Sequence, residues 1–332
     1  MILAVDAMGG DHAPRAIVEG VVAYLAERPK ENIDIRLVGD ELKLRSYTIE
    51  DPRVTIVHAA SVITGEDEPV RAIRRKKDSS LVVAANLVKS GEADALISAG
   101  NTGALMTAGL FVIGRIEGVD RPALAPTFPT RNGKGVVILD VGANPDAKAE
   151  HLLDYAIMGS VYAEQVRGIT RPKVGLLNIG SEAGKGNALT KETYPLLETA
   201  PIHFVGNVEA REAMSGDVDV IVTEGFAGNT LLKSTEGAAS MIMGVMKEQF
   251  MSSWTSKLAA LVLKPKLKKM KQLLAYEEYG GAGLFGIAAL TVIKAHGSSN
   301  AYAFSRALAQ AEKMVEQDVV SKIVQAKATE AR

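Results

Sequence analysis

The sequence contains no cysteine among its 332 residues. Without cysteine the chain has no disulfide framework, no cysteine-ligated zinc site and no thiolate nucleophile for acyl transfer. It also lacks a G-x-S-x-G segment, the turn that exposes the serine nucleophile of α/β-hydrolases. Both absences favour a reaction without a covalent enzyme intermediate.

No linker rich in proline and glycine divides the chain, so we expect one compact unit with two lobes. We assign residues 1–325 to this unit, with 229–274 as a helical arm for dimer and membrane contact, and 326–332 to a tail. No basic leader precedes the first apolar run, MILAVDAMGG, and Asp6 interrupts it. This pattern predicts a first strand rather than a signal peptide, and a cytoplasmic protein.

The segment from Ala95 to Gly114 carries no charge over 20 residues, which is the length of a membrane span. Its centre argues against a span, because residues 100–103 read Gly-Asn-Thr-Gly and predict a strand-to-helix turn. We therefore expect a buried strand followed by a buried helix.

The net charge is only −1, which by itself indicates neither a nucleic-acid partner nor an acidic one. Locally the charge is segregated, since residues 71–77 and 257–271 are basic and no Asp or Glu occurs from 249 to 276. The second segment is amphipathic, as expected for contact with a membrane surface or an acidic partner. Its alternatives are a solvated helix face and the core of a helical bundle in a dimer. The predicted contact residues are Arg71, Arg74, Arg75, Lys257, Lys264, Lys266, Lys268, Lys271, Trp254, Leu258 and Leu261.

Short apolar runs recur along the chain, and each ends in a turn rich in Gly, Asn or Ser. Runs that are apolar on both faces suit strands covered by helices. The sequence therefore predicts a three-layer α/β/α sandwich with a mostly parallel sheet, in which ligands bind at the carboxyl ends of the strands.

Two glycine-rich segments look like nucleotide sites but fail on spacing or context. In LLNIGSEAGKGNALTKE, residues 176–192, only three residues separate Gly180 from Gly184, whereas a Walker A loop needs four. This loop suits a smaller anion. The G-x-G-x-x-G of Gly281, Gly283 and Gly286 is followed by a strand-like run, so we discount a dinucleotide site.

Several longer segments carry a family resemblance: AVDAMGGDHAP, RRKKDSSLVVAANLV, ISAGNTGALMTAGLFVIGRI, LDVGANPDAK, YAIMGSVYAE, GNVEAR, KLAALVLKPKLKKMK and AHGSSNA. From Met1 to about residue 325 the chain resembles the bacterial phosphate acyltransferases, the PlsX family. The resemblance implies transfer of an acyl group from acyl-acyl-carrier-protein to inorganic phosphate for phospholipid synthesis, without a cofactor or a metal. It also implies an isopropylmalate-dehydrogenase-like fold, a homodimer, attachment to the cytoplasmic face of the membrane, and delivery of product to a membrane glycerol-3-phosphate acyltransferase.

The chain departs from the family pattern in EGFAGN, where Glu224 replaces the usual Asp and Ala227 the usual Thr or Val. Glu keeps the charge but lengthens the side chain by one methylene. The hydrogen-bonding role of position 224 therefore cannot be carried over unchanged.

We hypothesise that phosphate attacks the thioester directly, held by amides at a helix N-terminus and by a cation. Catalytic roles are predicted for Lys185, Asn229 and His12. The predicted phosphate or substrate ligands are Gly100, Asn101, Thr102, Gly103, Asn178, Gly180, His296, Gly297 and Ser298. Taken singly, each has a structural alternative: an N-cap, a solvated lysine or a histidine that caps a turn. Asp6 and Asp11 could bind a metal, but we expect them to hold their turn instead.

Other functions remain open on the residues alone. A phosphotransacetylase-like enzyme would use the same attack by phosphate, and a dehydrogenase of this fold would need a nicotinamide site. A non-catalytic, membrane-docked protein that binds an anion and regulates lipid synthesis would bind phosphate without turnover.

Overall fold

The computed structural model describes residues 1–29, 32–47, 49–274, 280–288 and 291–330, without the side chains of residues 269 and 271–274. Within these ranges the strands form two sheets. The first has the order β3-β2-β1-β4-β12-β11-β5. Its strands are β1 (Ile2–Asp6), β2 (Asp34–Gly39), β3 (Val54–His58), β4 (Ala95–Ser98), β5 (Ala123–Ala125), β11 (Ala282–Phe285) and β12 (Thr291–Lys294).

The second sheet has the order β6-β7-β10-β8-β9. Its strands are β6 (Thr127–Phe128), β7 (Val136–Leu139), β8 (Lys173–Asn178), β9 (His203–Glu209) and β10 (Val220–Val222). Only the pairs β11–β12, β11–β5 and β6–β7 are antiparallel among the described strands. The predicted α/β class with mostly parallel strands is confirmed, and the strands divide between two sheets.

Helices connect and cover the strands. They are α1 (Arg15–Ala26), α2 (Glu41–Arg45), α3 (Pro69–Arg75), α4 (Ser80–Lys89), α5 (Thr102–Ala108), α6 (Ala149–Gln165), α7 (Ala188–Thr199), α8 (Gly225–Met251), α9 (Trp254–Leu274), α10 (Ala301–Glu316) and α11 (Val319–Glu330). A π-helical turn, Gly109–Ile113, continues α5, and a 3₁₀ turn spans Ala210–Glu212.

The layers follow from the alternation of side chains along the central strands. Leu3 and Val5 of β1 pack in one apolar core with α1 and α10, whereas Ala4 between them packs in another with α4 and α5. Successive strand residues point to opposite faces, so a strand covered on both sides must be apolar throughout. The four residues of β4 and of β7 are all buried, as this arrangement requires.

The uncharged segment 95–114 forms strand β4, helix α5 and the π-helical turn, as predicted. Among the described residues no helix is both long and apolar enough to span a bilayer.

Residues 229–274, predicted to be helical, lie in α8 and α9, which we call the arm. In α8 only Gly225 and Gly228, at its start, are buried. The arm exposes many large apolar side chains, namely Met241, Ile242, Val245, Met251, Trp254, Leu258, Leu261, Val262 and Leu263.

In the sequence, Pro265 interrupts the helical pattern of residues 229–274 and predicts two long helices with a short third piece. That expectation is wrong, because α9 continues through Pro265 to Leu274. A proline removes only its own N–H from the helix, so the turns on either side can remain helical at a free-energy cost.

Residues 326–330, which the sequence assigned to a tail, form the end of α11. There Lys327 forms ion pairs with Asp154 of α6, at 2.5 Å, and with Glu330, at 2.7 Å.

Candidate active site

The loops after three neighbouring parallel strands meet at one edge of the first sheet. Asp6, Ser98 and Lys294 occupy the same level of β1, β4 and β12. The backbones beyond them approach so closely that a Cβ on Gly9 would lie 2.7 Å from the amide nitrogen of Gly100. These loops therefore converge at one edge of the sheet.

Asp6 holds this junction together. Its buried carboxylate accepts hydrogen bonds from the hydroxyl of Ser98 at 2.7 Å and from the backbone N–H of Met8 at 3.3 Å. Burial is the main effect on this group and raises its pKa. These contacts support the turn-holding interpretation of Asp6. The third loop joins through Asp11, whose backbone N–H donates to the carbonyl of Gly297 at 2.8 Å.

A cavity of about 1010 Å³ opens beside this junction, between the two sheets and the first turns of α8. One part of its lining is apolar and comprises Leu124, Pro126, Phe128, Pro129, Val141, Met214, Leu232, Ala239, Met243 and Ala282. The polar lining includes Thr102, Asn229, Lys233, Glu236, Lys294, His296, Gly297 and Asn300. Such a space can hold an aliphatic chain with a polar group at one end.

Lys294 is the buried cation of this cavity, at 8% exposure. Its Nζ donates to the carbonyl of Ala99 at 3.2 Å and to that of Ala295. An ammonium has three N–H donors, and among the described residues no protein group accepts the third. Burial lowers the pKa of Lys294 to about 8, against the opposing attraction of Asp11 and Asp6.

Sequence reasoning missed Lys294. The available signal was its place as the last residue of a buried strand, TVIK, two residues before His296. A lysine at the end of a strand that is covered on both faces cannot easily reach bulk water, and buried lysines are often functional.

His296 lies at the edge of the same cavity. Its Nδ1 is 2.8 Å from the hydroxyl of Ser298 and also accepts the backbone N–H of Ser298 at 3.3 Å. Partial shielding from water lowers the pKa of His296; Glu236 opposes this effect and Lys233 adds to it. The imidazole is therefore held neutral near pH 7. Gly297 lines the cavity too, whereas Ser298 orients the ring from outside the lining.

The Gly-Asn-Thr-Gly turn contributes Thr102 to the cavity lining. Asn101 has a structural role, because its side chain caps α5 by accepting the N–H of Ala104 at 3.0 Å. Its amide group donates to the carbonyl of Thr64 at 3.2 Å. Gly103 provides close packing, since a Cβ there would lie 2.7 Å from the ring of Pro69.

Asn229 enters the cavity from the first turn of α8 and lies beside Gly142. Glu224 caps this helix by accepting the N–H groups of Phe226 at 2.5 Å and Ala227 at 3.0 Å. The longer Glu side chain therefore still serves as an N-cap in this chain. The next turn is fixed by Gly228, where a Cβ would lie only 1.8 Å from the carbonyl oxygen of Asp140.

Asp140 connects the two sheets beside the cavity. Its fully buried carboxylate accepts the backbone N–H groups of Leu124 at 2.9 Å, Ala143 at 3.0 Å and Asn144 at 2.6 Å. Leu124 belongs to β5 of the first sheet, whereas Asp140 follows β7 of the second. Burial raises the pKa of Asp140, and the hydrogen bonds it accepts oppose that effect.

The remaining predicted site residues lie outside the cavity lining. Lys185 is exposed on the loop after β8, and its carbonyl accepts a hydrogen bond from Asn178 at 3.1 Å. Gly180 lies in the same loop, beside the Lys185 side chain. His12 is exposed at the start of α1, where its carbonyl accepts the N–H of Ala16 at 3.0 Å. The fold thus brings together Thr102, Asn229, His296 and Gly297 but not these four residues.

Comparison with known proteins agrees with this geometry. Residues 1–322 match the family described as "Fatty acid synthesis protein". A phosphate acyltransferase of Exiguobacterium sibiricum is 92% identical over 99% of both chains, and one of Bacillus cereus is 57% identical over 97% of both. The chain belongs to the phosphate acyltransferase family. The names of these relatives support a transferase.

Solved structures with low sequence identity share the acyltransferase fold. A phosphotransacetylase from Streptococcus pyogenes superposes with a TM-score of 0.61 at 14% identity and covers 95% of this chain and 94% of its own. A branched-chain phosphotransacylase from Enterococcus faecalis superposes with a TM-score of 0.60 at 15% identity, and the match covers 95% of this chain and 99% of that protein.

The basic surfaces of this phosphate acyltransferase family member are away from the cavity lining. Arg71, Arg74 and Arg75 are exposed on α3. The exposed residues of the second surface, on α9, are Lys257, Lys264, Lys266, Lys268, Trp254, Leu258 and Leu261. The side chain of Lys271 lies outside the described residues.

Proposed function

We propose that this chain transfers the acyl group of acyl-acyl-carrier-protein to inorganic phosphate, forming acyl phosphate and free carrier protein for phospholipid synthesis. The observation that carries this proposal is the meeting of a long apolar lining with a buried cation, Lys294, in one cavity. The acyl chain would occupy the apolar part, and its thioester carbonyl would lie near the cation.

The reaction needs no enzyme nucleophile. A phosphate oxygen attacks the thioester carbonyl, and a C–O bond to phosphate forms as the carbonyl oxygen becomes negative. Collapse of this tetrahedral intermediate breaks the C–S bond, and the departing thiolate takes up a proton. Negative charge therefore develops on the carbonyl oxygen beside the already charged phosphate, and an ammonium and hydrogen-bond donors in a water-poor cavity can stabilise both.

Lys294 is placed to stabilise that negative charge with its ammonium group. Its Nζ is fixed by the carbonyls of Ala99 and Ala295, so the third N–H donor needs no reorganisation to bind phosphate or the oxyanion. Thr102 and Asn229 add neutral donors from two different helices. A neutral His296 whose Nδ1 accepts the N–H of Ser298 carries its proton on Nε2, from which it can donate a further hydrogen bond.

Lys185 was the cation predicted from sequence, and the proposal now assigns that role to Lys294. Lys185 is exposed and its loop does not line the cavity of this chain. Comparison of Lys294→Met with Lys185→Met separates the two assignments, because only the residue that contacts phosphate should control turnover.

The decisive experiment measures free carrier thiol released from palmitoyl-acyl-carrier-protein, with and without inorganic phosphate, while hydroxylamine traps the acyl phosphate. Phosphate-dependent release with trapped product supports the proposal. Phosphate binding without release points to an anion-binding regulator instead. Release from acyl-CoA but not from the carrier-protein substrate points to a phosphotransacetylase-like enzyme.

We further propose that the arm and α3 organise the partners of the reaction. The exposed cations of α3 and α9 suit an acidic carrier protein, and the exposed apolar residues of α9 suit a membrane surface. The apolar residues of α8 suit a homodimer contact, and the acyl phosphate would pass to a membrane glycerol-3-phosphate acyltransferase. The protein would thus act in the cytoplasm, bound peripherally to the membrane.

A further inference from the structure

A second cavity, of about 670 Å³, lies behind the candidate active site. Thr127 and Gly280 line both cavities, so the two spaces share a wall. None of the residues proposed for acyl transfer lines the second space, which we call the back cavity.

The lining of the back cavity is strongly basic. Among the described residues of this lining, Lys134, Arg167, Arg306 and Lys313 accompany a single carboxylate, that of Asp219. The carboxylate is itself engaged, because it accepts the backbone N–H of Lys173 at 2.8 Å. The described part of the lining therefore carries an excess of positive charge that a bound anion would neutralise.

Arg306 is the most informative of these residues. Its Nε is buried, and no group in the described parts of the chain accepts a hydrogen bond from it. A buried donor without a partner is rare, because it loses its hydrogen bonds to water without replacement. The guanidinium fork matches the oxygens of a phosphate or carboxylate, so a ligand would supply the missing acceptor.

Arg167 is held in place next to this site. Its guanidinium donates to the carbonyl of Gly135 at 2.8 Å and to that of Lys134. These bonds anchor the side chain at the start of β7, so little side-chain entropy would be lost on ligand binding.

The other walls of the back cavity are apolar or neutral. Tyr162, Val166, Ile169 and Ala309 line it together with the hydroxyl-bearing Thr170. Beyond the charged end there is thus space for a compact apolar or ring-shaped group.

We propose that the back cavity binds a phosphate-bearing small molecule at a site separate from the active site. A phosphate dianion matches the excess positive charge, whereas a monocarboxylate would leave most of it unpaired. Because Thr127 and Gly280 belong to both walls, the occupant lies against the acyl cavity without entering it.

Calorimetric titration of the full-length chain with methyl phosphate, pyrophosphate and acetate tests this site. The titrations are made in Lys294→Met, so that binding at the proposed catalytic cation does not contribute. We expect one site for the phosphate compounds and at least tenfold weaker binding of acetate. Adding Arg306→Gln should weaken binding of methyl phosphate about tenfold or more, because a charged hydrogen bond is lost.

Arg36→Gln is the matched control, since Arg36 lies on β2, outside both cavity linings. It should bind methyl phosphate as its parent does. Arg306→Gln removes an N–H without a partner, so its thermal unfolding midpoint should not fall. Lys313→Gln is a second variant, on an exposed position, that should weaken binding by a smaller factor.

Unchanged affinity in both Arg306→Gln and Lys313→Gln would overturn the proposal, as would equal affinity for acetate and methyl phosphate. Absence of any binding at millimolar concentrations would overturn it as well. These outcomes are independent of whether Lys294→Met abolishes acyl transfer, so failure of one proposal leaves the other standing.

Discussion

The Nζ of Lys294 lies 3.2 Å from the carbonyl oxygen of Ala99 and donates a hydrogen bond to it. The bond joins the ends of two parallel strands, β4 and β12, whose registers place Lys294 opposite Ser98. A buried ammonium could serve only as a clamp between these loops, or it could also act on the substrate. The two roles differ in what the substitution of Lys294 does to stability and to turnover.

Lys294→Met should lower phosphate-dependent turnover by about 10²–10³-fold, the usual effect of losing one group that stabilises an oxyanion. Thermal stability should be equal or higher, because methionine fills the same space without burying a charge. Thiol release and thermal unfolding of the same preparation check both expectations. Lys185→Met is the matched control and should retain most activity; loss of activity there with retention in Lys294→Met would reverse our assignment.

The pH dependence of turnover should report the pKa of Lys294. Turnover that needs its ammonium should fall as the pH rises through about 8. Lys294→Arg keeps its charge throughout this range and should lose the fall, even if its rate is lower. A pH–rate profile of both proteins measures this, and a parallel decline in Lys294→Arg would exclude Lys294 as the cause.

Stability should show the opposite trend over the neighbouring pH range. The pKa of Lys294 is lowered in the folded state, so between about 8 and the ordinary value of 10.5 the unfolded chain binds more protons. The contribution of Lys294 to the free energy of unfolding therefore rises with pH across that range. Denaturant titrations should show the wild-type chain gaining stability relative to Lys294→Met from pH 8 to 10, and a loss would contradict the assigned burial.

Asp140→Asn should destabilise the fold by about 1–3 kcal/mol. The carboxylate accepts N–H groups on both oxygens, and an amide would turn an NH₂ group toward one of these donors. Urea unfolding measures the change. Asp146→Asn, at an exposed position of the same loop, should change stability by less than about 0.5 kcal/mol.

Two glycines of α8 should respond oppositely to alanine. Gly228→Ala places a Cβ on the carbonyl of Asp140, so it should shift the helix start, destabilise the fold and impair the position of Asn229. Gly237→Ala meets no atom within 4 Å and should stabilise the helix by up to about 1 kcal/mol. Thermal unfolding and turnover of both variants check this, and equal behaviour would mean that the helix start is not fixed by Asp140.

Salt should affect the two kinds of acyl donor differently. If the cations of α3 and α9 bind an acidic carrier protein, kcat/KM for acyl-acyl-carrier-protein should fall steeply with ionic strength. An acyl-CoA donor, if accepted, should show a weaker dependence. Charge reversal at Lys266 and Lys268 should weaken the salt effect, and equal salt slopes for both donors would contradict this role.

Local sequence patterns were sufficient for the elements of the fold. Apolar runs that end in glycine-rich turns predicted β1, β4, β7, β8, β10 and β12, because strands buried on both faces are continuously apolar. The sequence also predicted Thr102, Asn229, His296 and Gly297, which now share one cavity. It did not predict that α9 continues through Pro265.

By itself, then, the sequence determined the α/β class, the turns and the family, since these depend on neighbouring residues and on long shared segments. Only the tertiary structure decided which cation faces the cavity. Lys294 meets Ala99 across 195 positions of the chain, and that contact depends on the strand order β1-β4-β12, which no local pattern encodes. Lys185 has the more suggestive glycine-rich surroundings, but its strand lies in the other sheet, and its loop lies outside the cavity lining.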